Sequence, residues 1–255
     1  MSKIKIISWN INGIRTRAKN KEIDPIYTEN PDVILFQETK AKYEQLDSNL
    51  KDIEDYTTYF SQGETTRAGG IATFSKLKPK VVKRFFDLPD KSLKMRLLNF
   101  NFDNFKLIHI YAPSGSGSKK NKEIKLEFYK KLLDFAEKSA NDNVIIAGDF
   151  NIAHTEKDVS DPEKASKAAN FSNEEREVID KLEKLGYVDS FRSLNPDEIQ
   201  FSAWKSQKTK GSGEGSRLDY FFVSKNLKDS IIDSKILADI DGSKHAPIEL
   251  VMDIK

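Results

Sequence analysis

The chain of 255 residues carries 42 lysines and arginines against 40 aspartates and glutamates, for a net charge of +2. So even a balance excludes binding to polyanions through overall basicity, and any nucleic-acid contact must come from a local basic patch. Cysteine is absent, which excludes disulfides and thiolate metal sites and leaves oxygen ligands with at most three histidines, a donor set that suits a hard cation.

Taken in chain order, residues 4–8, 33–37, 56–61, 70–75, 81–86, 93–100 and 105–111 read as successive strands, with a helix over 43–53 after the second. Residues 121–140 place Ile124, Phe128, Leu132, Leu133 and Phe135 at mostly helical spacing, which lays one face on a sheet. The second half repeats the plan: a strand at 144–147, a helix at 172–185, and strands near Phe201 and at 218–223, 234–238 and 248–253. Strands dominate and helices intervene once or twice per half, a pattern that suits two packed sheets covered outside by helices. The first residues hold no continuous signal-peptide core and no later run approaches a membrane span, so a soluble, cytoplasmic protein with no membrane partner is expected. Oligomeric state is not legible.

Several strand ends carry acids and amides: Ser8-Trp9-Asn10-Ile11-Asn12-Gly13, Gln37-Glu38-Thr39-Lys40, Gly148-Asp149-Phe150-Asn151, Arg217-Leu218-Asp219-Tyr220 and Lys244-His245-Ala246-Pro247. Strand ends that converge on one rim can assemble a site from residues distant in sequence. Asp149 and Asn151 flank one Phe, so on an extended backbone both point to one side while Phe150 enters the core; Asn10 and Asn12 repeat the alternation. Taken singly, each has a plainer account. An acid after an apolar run can be a strand-end cap, an Asp or Asn can make an Asx-turn, and His109, inside an apolar strand, reads as structural. Three polar loops at 114–122, 155–169 and 205–217 carry Lys119, Lys120, Lys122, Lys157, Lys164, Lys167, Lys205, Lys208, Lys210 and Arg217, cations that are either solvated or available to phosphate.

In this order, and with Ile110-Tyr111-Ala112-Pro113, Asn151-Ile152-Ala153-His154, Phe171 with Glu175-Arg176, and residues 187–192 between them, the motifs resemble those of the exonuclease III class of abasic-site DNA endonucleases, within the endonuclease/exonuclease/phosphatase superfamily. The match runs from about Lys3 to Asp253. It implies a four-layered α/β sandwich of two packed, mostly antiparallel β-sheets flanked by helices, as a single domain over 1–255. It also implies a nuclease for double-stranded DNA that uses Mg²⁺, with Mn²⁺ as a substitute, cuts 5′ to an abasic sugar, and acts on 3′ ends as an exonuclease or phosphodiesterase. On that resemblance Glu38 and Asn10 hold the metal; Asp149, Asn151, His245, Asp219 and Tyr111 are catalytic; Asn12, Lys40, Arg96, Ser114, Lys244 and Ser216 face substrate. His154 orders the loop after Asn151.

The departures from the family pattern gather at substrate-facing positions. Lys244 stands where an Asp is usual, Ser216 where a Trp is usual, and Ala203 where an aromatic is expected before Trp204. Ser114 replaces an Asn, Ala68-Gly69-Gly70 replaces Tyr-Ser-Gly, and Lys94-Met95-Arg96 replaces Glu-Gly-Arg. Two rivals therefore stand beside the leading expectation. One is the same core acting on other damaged or uracil-containing DNA, RNA or another phosphoester. The other is a catalytically quiet nucleic-acid-binding homologue.

Overall fold

The computed structural model describes residues 2–63, 69–83, 93, 95–166 and 169–254. Ala68, Lys94, Lys167 and the second half of the strand expected at 81–86 lie outside the described residues. The strands, in chain order, are β1 Ser2–Asn10, β2 Val33–Gln37, β3 Thr57–Ser61, β4 Ile71–Ser75, β5 Val81–Lys83, β6 Leu97–Asn101, β7 Lys106–Tyr111, β8 Val144–Asp149, β9 Tyr187–Asp189, β10 Ala203–Trp204, β11 Gly215–Ser216, β12 Asp219–Ser224, β13 Ile231–Ile236 and β14 Ile248–Ile254.

They form two six-stranded sheets, β13-β14-β1-β2-β4-β3 and β5-β6-β7-β8-β12-β9, plus the small β10–β11 ribbon. Each large sheet has one parallel pair at its centre, β1 with β2 and β7 with β8, and is otherwise antiparallel. The sheets do not divide the sequence into halves, because β13 and β14 return to the sheet begun by β1. Period-2 alternation sorts the side chains into layers. Val33 and Leu35 of β2 and Ile145 and Ala147 of β8 face the core between the sheets. Their neighbours Ile34 and Phe36 face one outer layer, and Val144 and Ile146 the other. The helix Lys119–Lys138 covers the second sheet with Phe128, Tyr129, Leu132 and Ala136. Helix Asn173–Lys184, started by a Ser172/Glu175 capping box, adds Val178, Ile179 and Leu182.

The helix expected over 43–53 is two short pieces, a 3₁₀ turn at Tyr43–Gln45 and a helix at Ser48–Lys51. Leu46 is extended between them, which lets both Leu46 and Leu50 reach the core. Two further helices, Ile14–Lys19 and Asp24–Thr28, cover the first sheet where none was expected. Among the described residues no helix is long and apolar enough to cross a membrane.

A buried polar network links the two sheets through the core. His109 on β7 is fully buried, its Nδ1 2.9 Å from Thr73 Oγ1 and its Nε2 2.8 Å from Gln37 Nε2. With Gln37 donating to Nε2, the imidazole is the neutral Nδ1–H tautomer and donates to Thr73. The apolar neighbours carry the stability, at about 1.5–3 kcal/mol per buried Leu or Phe; the network adds geometric definition between the sheets. Burial pushes His109 from 6.5 down to about 3. The unfolded chain therefore binds a proton that the folded one refuses, and stability present above pH 6.5 is lost as pH falls toward 3, by up to about 1.4 kcal/mol per pH unit. Denaturant titrations at pH 7 and pH 4.5 are expected to show a smaller acid loss in His109→Gln than in the unsubstituted protein. Equal losses would remove His109 from the acid response.

Candidate active site

Adjacent strands align the catalytic candidates in register. Tyr111 pairs with Asp149 across β7–β8, and Asp219 pairs with Asp149 across β12–β8. In-register neighbours share a sheet face, so Tyr111, Asp149 and Asp219 form one row at the sheet's end. Gly148 permits this: it has φ +139° and a Cβ there would fall 1.9 Å from Ile110 O, so no other residue fits between β8 and β7.

The other sheet supplies Asn10, the last residue of β1, whose Nδ2 donates to Asp149 Oδ2 at 2.8 Å. The chain after β1 is tied to the chain after β2 by Gly13 N to Glu38 O, 2.8 Å, and Ile14 N to Thr39 O, 3.0 Å. On that rim Lys40 Nζ lies 2.8 Å from Glu38 Oε1 and donates to Asn12 Oδ1 at 2.5 Å. Asn12, Glu38, Lys40 and Asn151 all have φ near +50°. Left-handed backbone costs of order 1–3 kcal/mol in a non-glycine residue, and such strain gathers at functional sites.

His245 precedes β14. Its Nδ1 lies 2.9 Å from Asp219 Oδ2, and its carbonyl accepts from Trp9 Nε1 at 2.9 Å. The residue sequence reasoning missed is Ser202, whose hydroxyl donates to the same Asp219 Oδ2 at 2.6 Å and accepts from the Leu218 and Asp219 amides. An isolated Ser before a short strand carries no signal that could have found it. Asp149, Asp219 and His245 are all buried, with donor atoms within 4.8 Å of one another.

Burial, helped by the Asp219 charge, pushes Asp149 up to about 6 against the pull of His245, Asn10 and the Asn151 amide. For His245, burial works downward, but the charge and hydrogen bond of Asp219 prevail and the imidazole stays above its usual range. Burial also opposes ionisation of Glu38; Lys40 and, more weakly, the charges and amides of Lys244 and Asn10 hold its carboxyl below the usual value. Tyr111 is pushed well up by burial and by Glu38 and Asp149, so it remains a neutral hydroxyl. Arg96 lies over its ring, 4.8 Å from the centroid.

Asn151 does not follow the extended alternation expected of it. It sits in a left-handed turn just past β8, its amide N donating to Asp149 Oδ1 at 2.8 Å and its Nδ2 to Ala112 O at 2.9 Å. Ser114 is exposed and bonds Ser116. Lys244 is half-buried and its charge reaches Glu38. Ser216 pairs with Ala203 in the β10–β11 ribbon. These two small residues border a cavity of about 620 Å³, also lined by Val159, Lys164, Trp204 and Leu218.

Two of the loop cations are not available to phosphate. Arg217 is buried between Asp158 and Asp189, at 2.7 Å from each, because two buried carboxylates need an internal cation. Lys210 is turned inward onto Ile240 O. Lys119, Lys120, Lys164, Lys205 and Lys208 are exposed.

The donor set fits a hard divalent cation. It offers carboxylate and carboxamide oxygens with no sulfur, and Asn10 Oδ1 and Asp219 Oδ1 are buried without a hydrogen-bond partner.

Comparison with known proteins agrees with the geometry. The profile of the Endonuclease/Exonuclease/phosphatase family matches residues 7–239. An exodeoxyribonuclease of Bacillus subtilis (strain 168) is 32% identical over 98% of this chain and 100% of its own. A DNA-(apurinic or apyrimidinic site) endonuclease of Dictyostelium discoideum is 32% identical over 99% of this chain and 72% of its own. Among solved structures, an AP endonuclease from Archaeoglobus fulgidus superposes with a TM-score of 0.87 at 25% identity, covering 98% of this chain and 100% of its own. A two-sheet sandwich with its acids, amides and one imidazole at the shared rim, matched along nearly its whole length, belongs to the Endonuclease/Exonuclease/phosphatase family, on its exonuclease III branch.

Proposed function

We propose that the protein is a Mg²⁺-dependent DNA repair endonuclease that hydrolyses the phosphodiester 5′ to an abasic site in double-stranded DNA, with 3′-5′ exonuclease or 3′-phosphodiesterase action at recessed ends. The observation that carries this is the buried His245–Asp219 pair facing the Asp149–Asn10 pair. Asp219 takes the Nδ1 proton's hydrogen bond and leaves Nε2 free to meet a phosphate oxygen. Asp149, held through both oxygens by Asn10 and the Asn151 amide, is placed to align an attacking water and receive its proton. Attack is in line on phosphorus, with the 3′-oxygen leaving; His245 and the Tyr111 hydroxyl donate to the phosphoryl oxygens as their charge grows. Glu38, Asn10 and Asp219 Oδ1 are the groups that would hold the cation, which supplies Lewis-acid stabilisation of the leaving oxyanion. The exposed lysines of the three loops carry the duplex backbone.

A second reading, the same chemistry on base-bearing damaged nucleotides such as deoxyuridine, is favoured by the small Ser216–Ala203 wall of the neighbouring cavity. The deciding experiment incubates the protein with labelled duplexes carrying an abasic analogue, a deoxyuridine or a recessed 3′ end, with Mg²⁺ and with chelator. Incision 5′ to the abasic analogue that chelator stops is the expected result. No cleavage of any duplex, or cleavage indifferent to chelator, would end the proposal; equal cutting at deoxyuridine would promote the second reading.

Lys244 puts a cation where the charge of Glu38 should serve a metal. Removing that repulsion and adding an opposite charge within ~4–6 Å favours cation binding by about 1 kcal/mol or more. Lys244→Asp is accordingly expected to lower the Mg²⁺ concentration for half-maximal cleavage by about fivefold. An unchanged midpoint would place Lys244 outside the site's field.

A further inference from the structure

Beneath the catalytic turn lies a charge that the chemistry above does not use. Lys125 is fully buried on the apolar face of helix Lys119–Lys138, in line with Phe128, Tyr129 and Leu132. Its ammonium meets carbonyls from three separate loops: Asn151 O at 2.8 Å, Ala169 O at 2.8 Å and Ser114 O at 3.4 Å. Its counter-ion is Glu175, equally buried, whose other oxygen caps Ser172. One turn along the helix, Tyr129 Oη donates to Phe150 O. The helix thus grips the consecutive carbonyls of Phe150 and Asn151, while their amides go to Leu218 O and Asp149 Oδ1. Every backbone polar group of this strained turn is fixed.

A buried ion pair is a poor way to gain stability, since an apolar pair of similar volume is often as good or better. A leucine at 125 would extend the apolar stripe. What it could not do is satisfy three converging carbonyls, one of them belonging to a residue held at φ +50°. The loop after Tyr111 is built around this side chain: at Gly115, φ +71°, an added Cβ would fall 2.8 Å from Lys125 Cδ.

We propose that Lys125 is a positioning residue for the reaction, its buried ammonium locking the 149–151 turn to the loop that follows Tyr111, so that Asn151, Asp149 and Tyr111 keep one mutual arrangement. Lys125 acts through those residues and touches no substrate. This inference rests on the proposed nuclease function for its rate measurement, and hydrogen exchange at the Phe150 and Asn151 amides reads the positioning independently.

The test compares Lys125→Met combined with Glu175→Gln, which removes both charges and leaves no buried charge unpaired, with Lys125→Arg. Three quantities are measured on the full chain: thermal midpoint, affinity for an abasic-analogue duplex in chelator, and single-turnover cleavage rate at saturating Mg²⁺. The double variant is expected to lose thermal stability, because the carbonyls Lys125 served go unsatisfied, yet to stay folded at the assay temperature with its DNA affinity within about twofold, to cleave about tenfold or more slowly, and to exchange the two amides faster. Lys125→Arg, which keeps charge and donors, is expected to recover most of the rate. Should the double variant fail to fold, Gly115→Ala, which displaces the Lys125 stem, is expected to slow cleavage at unchanged DNA affinity. A folded double variant with the original rate and exchange, an arginine no better than methionine, or a full-speed Gly115→Ala in that fallback, would each overturn the proposal. An unsubstituted protein that cleaves no duplex would defeat the nuclease reading, leaving the exchange comparison to decide Lys125.

Discussion

Asp149→Asn is expected to slow cleavage by a hundredfold or more while leaving DNA binding intact or tighter. Asparagine cannot receive a proton from water, and loss of an aligned base costs about 3 kcal/mol or more at the transition state. The lesion is chemical because the surroundings can adapt. Asn10 now donates to Asp149 Oδ2 and has its own Oδ1 unpartnered; turning that amide over lets it accept from the NH₂ of the introduced asparagine. Removing a buried carboxylate also relieves the strain read in its raised pKa, about 6 against 3.8. For an acid raised in this way, the stabilising linkage belongs to low pH and is lost as pH rises through 6, so ionised Asp149 destabilises the cation-free protein at neutral pH. The thermal midpoint of Asp149→Asn in chelator should therefore exceed that of the unsubstituted protein. Near-normal turnover would end the assigned role, whatever the midpoint.

His245→Ala and Asp219→Ala are each expected to reduce the rate by about 10²–10⁴-fold, the range for a positioned acid–base group. Asp219 Oδ2 accepts from both His245 and Ser202, so on the proposed mechanism it would fix the ring's orientation and tautomer, while Oδ1 remains for the cation. If the pair works as one unit, the double variant should be little worse than the poorer single. A double-mutant cycle on single-turnover rates measures this, and fully additive losses would reject the coupling.

The strands were legible because runs such as 33–37 and 144–147 are apolar on both faces, as central strands between two covering layers must be. The gathering of Glu38, Asp149, Asp219 and His245 was legible through the family resemblance; periodicity alone places each at a strand end and says nothing of which ends meet. Local signals were overlooked at Pro25, in the first turn of helix Asp24–Thr28, and at Asp47-Ser48, which restarts the helix after Leu46. Asn151 was expected to extend the strand, but its amide closes the local Asx-turn onto Asp149 Oδ1 that an Asp two residues earlier allows, and bonds to Ala112 and Lys125, far off in sequence, hold that turn. Other features had no local signal. Arg217 and Lys125 look like surface cations in any sequence window, and only the fold reveals the acids that bury them.

The pairing of β1 with β14 has a consequence for how the protein comes into being. Trp9 holds the carbonyl of His245 from 236 positions away, and β14, which closes the central gap between β13 and β1, follows that histidine. During synthesis Glu38, Asp149 and Asp219 all emerge before His245 does. Until residues 245–254 are available, β1 lacks its antiparallel neighbour, and the imidazole cannot reach Asp219. On the proposed role of His245, nascent chains and fragments cut between β13 and β14 are expected not to nick DNA, and contacts at such long range are expected to close late in folding.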